Sequence, residues 1–139
     1  MKWITFEEWA GTVPQSICQD PLWRFQVYPK ALYLFELAWQ DCAILIRDPR
    51  GRAIAEQLIR SAGSICANIE EGYGRGYGKE FSYFLRIAIG SARESRGWYY
   101  RAHHLLPREV LEHRLALLDE IIAMLAPNIE RQRRYRRQS

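Results

Sequence analysis

Apolar residues recur every three or four positions along most of this chain, and the pattern breaks only at short polar, glycine-rich or proline-bearing stretches. That spacing places side chains on one helical face, so the chain reads as amphipathic helices joined by tight turns. The first long helix is predicted to begin at Asp20-Pro21, an N-cap followed by proline at the first helical position. Its stripe of Phe25, Tyr28, Leu32, Phe35, Trp39, Cys42 and Ile46 is predicted to face the core, with Pro29 kinking the helix while the register continues. Asp48-Pro49 repeats the capping device and opens a second helix, to about Tyr73, that buries Ile54, Leu58, Ala62, Ile65 and Ile69. A third, from Lys79 to about Leu105, buries Phe81, Phe84 or Leu85, Ala88, Ala92 and Tyr99. Pro107 opens the fourth, whose stripe is Leu111, Leu115, Leu118, Ile122, Leu125 and Ile129, bent near its end by Pro127.

Short connections at 47–49 and 105–107 force neighbouring helices to run antiparallel. The expected fold is all-α, an up-down-up-down four-helix bundle over residues 21–130. Ahead of it, residues 1–20 carry a capping box, Thr5-Phe-Glu-Glu8, for a short helix that presents Phe6 and Trp9 to the bundle. Second apolar rows at Leu34, Ala38 and Leu45 and at Leu117, Ile121 and Met124 read either as a wide core stripe or as a subunit interface. Small residues at Ala62, Gly63, Ala67, Ala88, Gly90, Ser91 and Ala92 are expected to let helices two and three approach closely.

With 139 residues the chain is long enough for one domain with an ordinary core. No window approaches the ~18 uninterrupted apolar residues of a membrane span, and nothing resembles a signal peptide, so a cytoplasmic protein without membrane association is expected. Cys18, Cys42 and Cys66 are widely spaced with no CxxC pair, which suits reduced thiols. The charge is uneven. Five arginines and no acid lie in residues 131–139, so the remaining 130 residues carry about −1 of the +4 total.

Four features can carry chemistry. Ser61, Ser64, Asn68, Glu71 and Arg75 share one helix face; the first four read as a structural polar row joining helices, or alternatively as a hydrogen-bonding surface for a ligand. The loop Gly72-Tyr-Gly-Arg-Gly-Tyr-Gly78 before Lys79 fails the P-loop pattern, since Tyr73 occupies the first glycine position and Glu80 replaces Ser/Thr. Arg75, Tyr73 and Tyr77 are suited to stack on bases and hold phosphate; the plain alternative is a helix connector. Lys79, Arg86 and Arg93 fall seven apart on one face of helix three. They suit either phosphates or solvent. The basic tail, with Arg131, Arg133, Arg134, Arg136, Arg137 and Tyr135, suits phosphate contact, against the alternative of a solvated helix end facing its dipole. Catalysis finds little support. His103 and His104 are neighbours expected on different faces, no HExxH or ExxH pair occurs, and no serine or cysteine has an identifiable base.

The segments Leu58-Ile-Arg-Ser-Ala-Gly-Ser-Ile-Cys-Ala-Asn-Ile-Glu-Glu-Gly72, Gly74-Arg75, Lys79-Glu-Phe81 and Ile87-Ala-Ile-Gly-Ser-Ala-Arg-Glu94 carry a resemblance. Through them the chain, from Leu32 to about Ile129, resembles the four-helix-bundle family of 23S rRNA-intervening-sequence proteins, whose core reads close to SIxANIxEG, GR, EF and GSAxE. The resemblance implies a homo-oligomer, specifically a pentameric ring, with no established catalytic residues. A distant relative by the same resemblance is the accessory protein of diversity-generating retroelements, a basic pentamer that binds nucleic acid and a reverse transcriptase. This chain departs from it in having a near-neutral body and a charged tail. The expectation is therefore a non-enzymatic oligomer without cofactor or metal that binds RNA or single-stranded DNA. The rival is a scaffold that docks a partner enzyme such as a reverse transcriptase.

Overall fold

The structure, a computed structural model, describes residues 3–135. Thr5 accepts the Glu8 N–H at 3.2 Å and opens a short helix, α1 (Phe6–Ala10), and Pro14 precedes a second, α2 (Gln15–Cys18). Four long helices follow: α3 (Val27–Leu45), α4 (Pro49–Gly74), α5 (Lys79–Arg101) and α6 (Arg108–Arg134). Among the described residues there is no strand.

The start of the first long helix differs from expectation. Asp20 does accept the Leu22 N–H, at 2.9 Å, but the turn it caps is a single 3-10 turn, Pro21–Arg24, which Phe25 ends with an extended backbone. Helix α3 then begins at Val27, so Pro29 falls in its first turn. N–H groups there lack intrahelical partners in any case, and the expected kink has no cause. The Asp48 cap of α4 is present, accepting from the Arg50 N–H at 2.8 Å with Pro49 behind it.

Helices α3 and α4, α4 and α5, and α5 and α6 pack in succession, and α6 also packs on α3. Leu34, Leu37, Leu45, Leu58, Ile65, Ile69, Leu85, Tyr99, Leu118, Ile121 and Leu125 are fully buried between them. Each such side chain contributes about 1.5–3 kcal/mol relative to exposure. On α3 the row read as a second one faces fully inward, with Leu34, Ala38 and Leu45 buried; of the expected stripe Tyr28 is buried, Leu32, Phe35 and Cys42 are partly so, and Trp39 and Ile46 are 65 % and 48 % exposed. On α6 the core falls between the two rows, with Leu117, Leu118, Ile121 and Leu125 buried and Leu111, Leu115, Ile122 and Ile129 only partly so. Apolar residues occupy two adjacent faces of each helix, and period alone cannot say which face turns inward. Packing decides it.

Of the small residues expected between α4 and α5, Ala62, Ala88 and Ala92 are fully buried and Ser91 bonds Ser64 across the contact, but the glycine that the close approach needs is a different one. A Cβ on Gly72 would lie 2.8 Å from Phe84 Cβ and 2.9 Å from Phe81 Cδ1, whereas Gly90 has open space and Gly63 faces Phe35 on α3. The N-terminal segment packs on α3 and α6. Tyr33 donates to the Ile4 carbonyl at 2.7 Å, Trp9 is buried beside Trp23 and Tyr33, and the Phe6 ring lies under Lys30. No helix among the described residues is long and apolar enough to cross a membrane.

Candidate nucleic-acid interface

Helix α4 ends where Arg75 returns its N–H to the carbonyls of Glu71 and Gly72. Gly76 and Gly78 take φ of +98° and +84°, the left-handed region open to glycine, and so turn the chain into α5. Gly78 donates its N–H to Gln132 Oε1 at 3.0 Å, and Ser82 Oγ donates to the Ile129 carbonyl at 3.0 Å. These bonds seat the last turns of α6 on the first turn of α5. Loop and tail, far apart in sequence, therefore meet: the Tyr77 and Tyr135 rings are 5.1 Å apart, and Arg75, Tyr77, Lys79, Glu80 and Tyr135 line a cleft of about 490 Å³. Tyr77 is 70 % exposed, so one ring face is open for stacking.

The cations here differ in their ties. Arg75 holds Glu71 with Nη2 and Nε at 2.8 and 3.0 Å, which pushes its own pKa further up. Arg134 holds Glu130 at 3.0 Å, and Arg131 donates to Asn128 Oδ1 at 3.2 Å. Exposed pairs of this kind are worth little to stability, so the guanidiniums can exchange carboxylate for phosphate at small cost. Lys79 and Arg133 have no acidic partner among the described residues. Helix α6 runs on through Pro127 to Arg134, so Arg131, Arg133 and Arg134 belong to a seated helix end and not to a loose arm. Arg136 and Arg137 lie outside the described residues. Arg86 and Arg93 are exposed on α5 but stand about 10 and 21 Å along the axis from Lys79, at 1.5 Å per residue, so they do not join the cluster.

Half of the polar row of α4 bonds α5. Ser95 Oγ donates to Ser61 Oγ and Ser91 Oγ to Ser64 Oγ, each at 2.8 Å, and Ser61 passes its own proton to the Leu58 carbonyl. Asn68 Nδ2 bonds the carbonyl and hydroxyl of Ser64 at 2.8 and 2.9 Å, and Glu71 faces out to Arg75. Ser61 and Ser64 thus link two helices, while Asn68 and Glu71 make local contacts.

Sequence reasoning overlooked a buried polar centre. Arg114 on α6 bonds Asp41 on α3 through two nitrogens, at 2.8 and 3.0 Å, and Tyr99 on α5 donates to the same carboxylate at 2.6 Å. Burial, then Asp41, push the Tyr99 pKa well above its ordinary value. Arg114 Nη1 sits 2.8 Å from His113 Nδ1; a guanidinium only donates, so that nitrogen accepts and the ring is the neutral Nε2–H tautomer. Burial, then Arg114, hold the His113 pKa down. The Trp3 ring covers Arg114 at 4.8 Å. The available signal was an acid, Asp41, in line with the apolar Leu34, Leu37 and Leu45 of α3, and an arginine, Arg114, in line with Val110, Leu117, Leu118 and Ile121 of α6. His103 and His104 stand on a 3-10 turn, Ala102–His104, with rings 4.0 Å apart, so they do not diverge as neighbours within one helix would. Burial raises the thiols of Cys42 and Cys66 to about 11 and about 12, and both are inert as nucleophiles at neutral pH.

No curated protein matches the chain. A crystal structure of a protein of unknown function from the S23 ribosomal protein family of Bacteroides thetaiotaomicron VPI-5482 is similar to it. That likeness has a TM-score of 0.68 at 26 % identity and covers 75 % of this chain and 98 % of the other. The 23S rRNA-intervening sequence protein family matches residues 24–127, which cover α3, α4, α5 and α6 as far as Pro127, and the chain belongs to that family.

Proposed function

We propose that this protein is a non-enzymatic, oligomeric, up-down-up-down four-helix bundle that binds RNA or single-stranded nucleic acid where the α4–α5 loop meets the end of α6. The meeting of Arg75, Tyr77 and Lys79 with Tyr135, at the end of the helix that carries Arg131, Arg133 and Arg134, supports this reading. Cations beside an exposed aromatic face are what a flexible strand needs: phosphate attraction plus sequence-tolerant stacking. The family's name, which refers to an rRNA insertion, supports RNA as the polymer.

Self-assembly has its own support. Trp39, Cys42 and Ala43 of α3, Ile46 at its C-cap and Ala55 and Ile59 of α4, with Arg52 and Glu56, line a mostly apolar groove of about 480 Å³. Trp39 and Ile46 belong to the stripe expected to face inward, and both are turned out. A second copy seated on the groove removes Trp39 and Ile46 from water, and a pentameric ring fits the resemblance noted above. Repeated sites on one ring would bind a single strand with raised effective concentration.

The test replaces Arg131, Arg133, Arg134, Arg136 and Arg137 with glutamine, sparing Gln132 and Tyr135 because they hold the loop. If three of the five touch phosphate, the log–log salt slope for single-stranded RNA falls by ~2 per subunit, at about 0.7 per contact. Equal slopes and affinities for both proteins would set the tail aside and favour a scaffold that docks a partner enzyme.

A further inference from the structure

Between the Pro21–Arg24 turn and the end of α6 lies a cleft of about 440 Å³, and its lining differs from that of its neighbours. Arg24 enters it from the turn and Arg131 from α6; Phe25, Met124 and Pro127 give apolar wall, and Asn128 adds an amide. No carboxylate lines it. The α3–α4 groove contains Glu56, the cleft under the N-terminal segment contains Glu7 and Glu120, and the loop cleft contains Glu80. The acids nearest in sequence are engaged elsewhere: Asp20 accepts the Leu22 N–H and Glu130 holds Arg134. Arg24 has no ion pair among the described residues. Asn128, its amide nitrogen bonded to the Met124 carbonyl at 2.9 Å, steadies Arg131 through Oδ1.

Two guanidiniums uncompensated by an acid, beside an aromatic and apolar wall, match the two halves of a nucleotide. The forks suit a phosphate, and the wall suits a base or sugar face. The volume falls within the range of small-ligand sites. The cleft and the interface described above both use the C-terminal end of α6. Arg131 lines the cleft, and Tyr135, four residues on at the C-cap of α6, lines the loop cleft. Phe25 packs on Phe81 at 5.5 Å, which ties the turn to the start of α5.

We infer that this cleft is a subsite for a further nucleotide of the strand bound at the loop, with Arg24 and Arg131 on its phosphate and Phe25 beside its base or sugar. The inference rests on the nucleic-acid reading and adds a residue, Arg24, that lies outside the loop, helix-three and tail basics.

The experiment measures binding of a labelled single-stranded RNA of mixed sequence over a salt series, for the parent, Arg24→Ala, Arg24→Lys and Lys79→Ala, with adenosine monophosphate as a second probe. Losing one phosphate contact lowers the salt slope by about 0.7, which corresponds to about fivefold weaker binding near 0.1 M salt. Arg24→Ala is expected to show that loss with unchanged melting, since Arg24 is exposed, and Arg24→Lys to keep most of the slope. If Lys79→Ala weakens binding while Arg24→Ala matches the parent, the subsite is wrong and the loop interface stands. If Arg24→Ala loses adenosine monophosphate but keeps RNA affinity, the cleft holds a free nucleotide and the inference is overturned. Parent protein with no salt-dependent RNA binding removes both readings.

Discussion

Arg114 is the largest of the fully buried side chains, and what holds it there is specific: two bonds to Asp41, a shared Tyr99 hydroxyl and the Trp3 ring above it. A buried ion pair is not by itself a large net stabiliser, because desolvating both charges offsets their attraction. Removing one partner is another matter. Asp41→Ala leaves a guanidinium in the core without its carboxylate, and we expect a loss of about 3–5 kcal/mol in denaturant unfolding at fixed protein concentration. The triple replacement Asp41→Leu, Arg114→Met, Tyr99→Phe removes all the polar groups together and should unfold near the parent midpoint. A triple variant as unstable as Asp41→Ala would mean that the charges themselves stabilise the fold. Neither residue stood out in the sequence, because each is one charge in an apolar stripe and its partner is 73 positions away.

Among the helices, the glycines separate those that serve packing from those that do not. A Cβ at Gly51 would strike the Leu45 carbonyl oxygen and lie 2.6 Å from Leu105 Cδ1. The backbone there cannot yield as a side chain could. Gly51→Ala should cost about 1–3 kcal/mol, as overpacking commonly does. Gly90 meets nothing within 4 Å and sits exposed inside α5. Alanine there restores helix propensity and should add about 0.5–1 kcal/mol. Thermal melts of the two single variants read the contrast directly; shifts of the same sign would refute the packing assignment. Between α4 and α5 the contact is instead partly polar, through the Ser61–Ser95 and Ser64–Ser91 bonds.

At the scale of the whole molecule, the exposed apolar row of α3 is the feature a lone subunit explains least. Scattered exposed apolar residues are ordinary, but a groove combining Trp39 and Ile46 with Cys42, Ala55 and Ile59 is contiguous. Trp39→Glu puts a charge in the middle of that surface while leaving the core alone, since Trp39 is already 65 % exposed. The expected result by light scattering at micromolar concentration is a parent heavier than the 16.4 kDa subunit and a lighter variant with unchanged helicity. A parent at 16.4 kDa ends the proposed ring, and a variant of parental mass moves the interface away from this groove.

The local pattern of the chain determined that it is helical and where most long helices run. It also marked the Thr5 and Asp48 caps, the turn at Gly76–Gly78 and the inward faces of α4 and α5, because helix period, capping and glycine turns are properties of neighbouring residues. The motifs from Leu58 to Glu94 marked the family. Tertiary structure decided the rest. It turned Leu34, Ala38 and Leu45 inward and Trp39 and Ile46 outward, since two apolar faces of α3 were equally regular and only contact with α4 and α6 distinguishes them. It also paired Asp41 with Arg114, joined Tyr77 to Tyr135, and set Arg24 beside Arg131. Each of these joins residues tens of positions apart, and periodicity within one helix carries no record of what another helix brings to it.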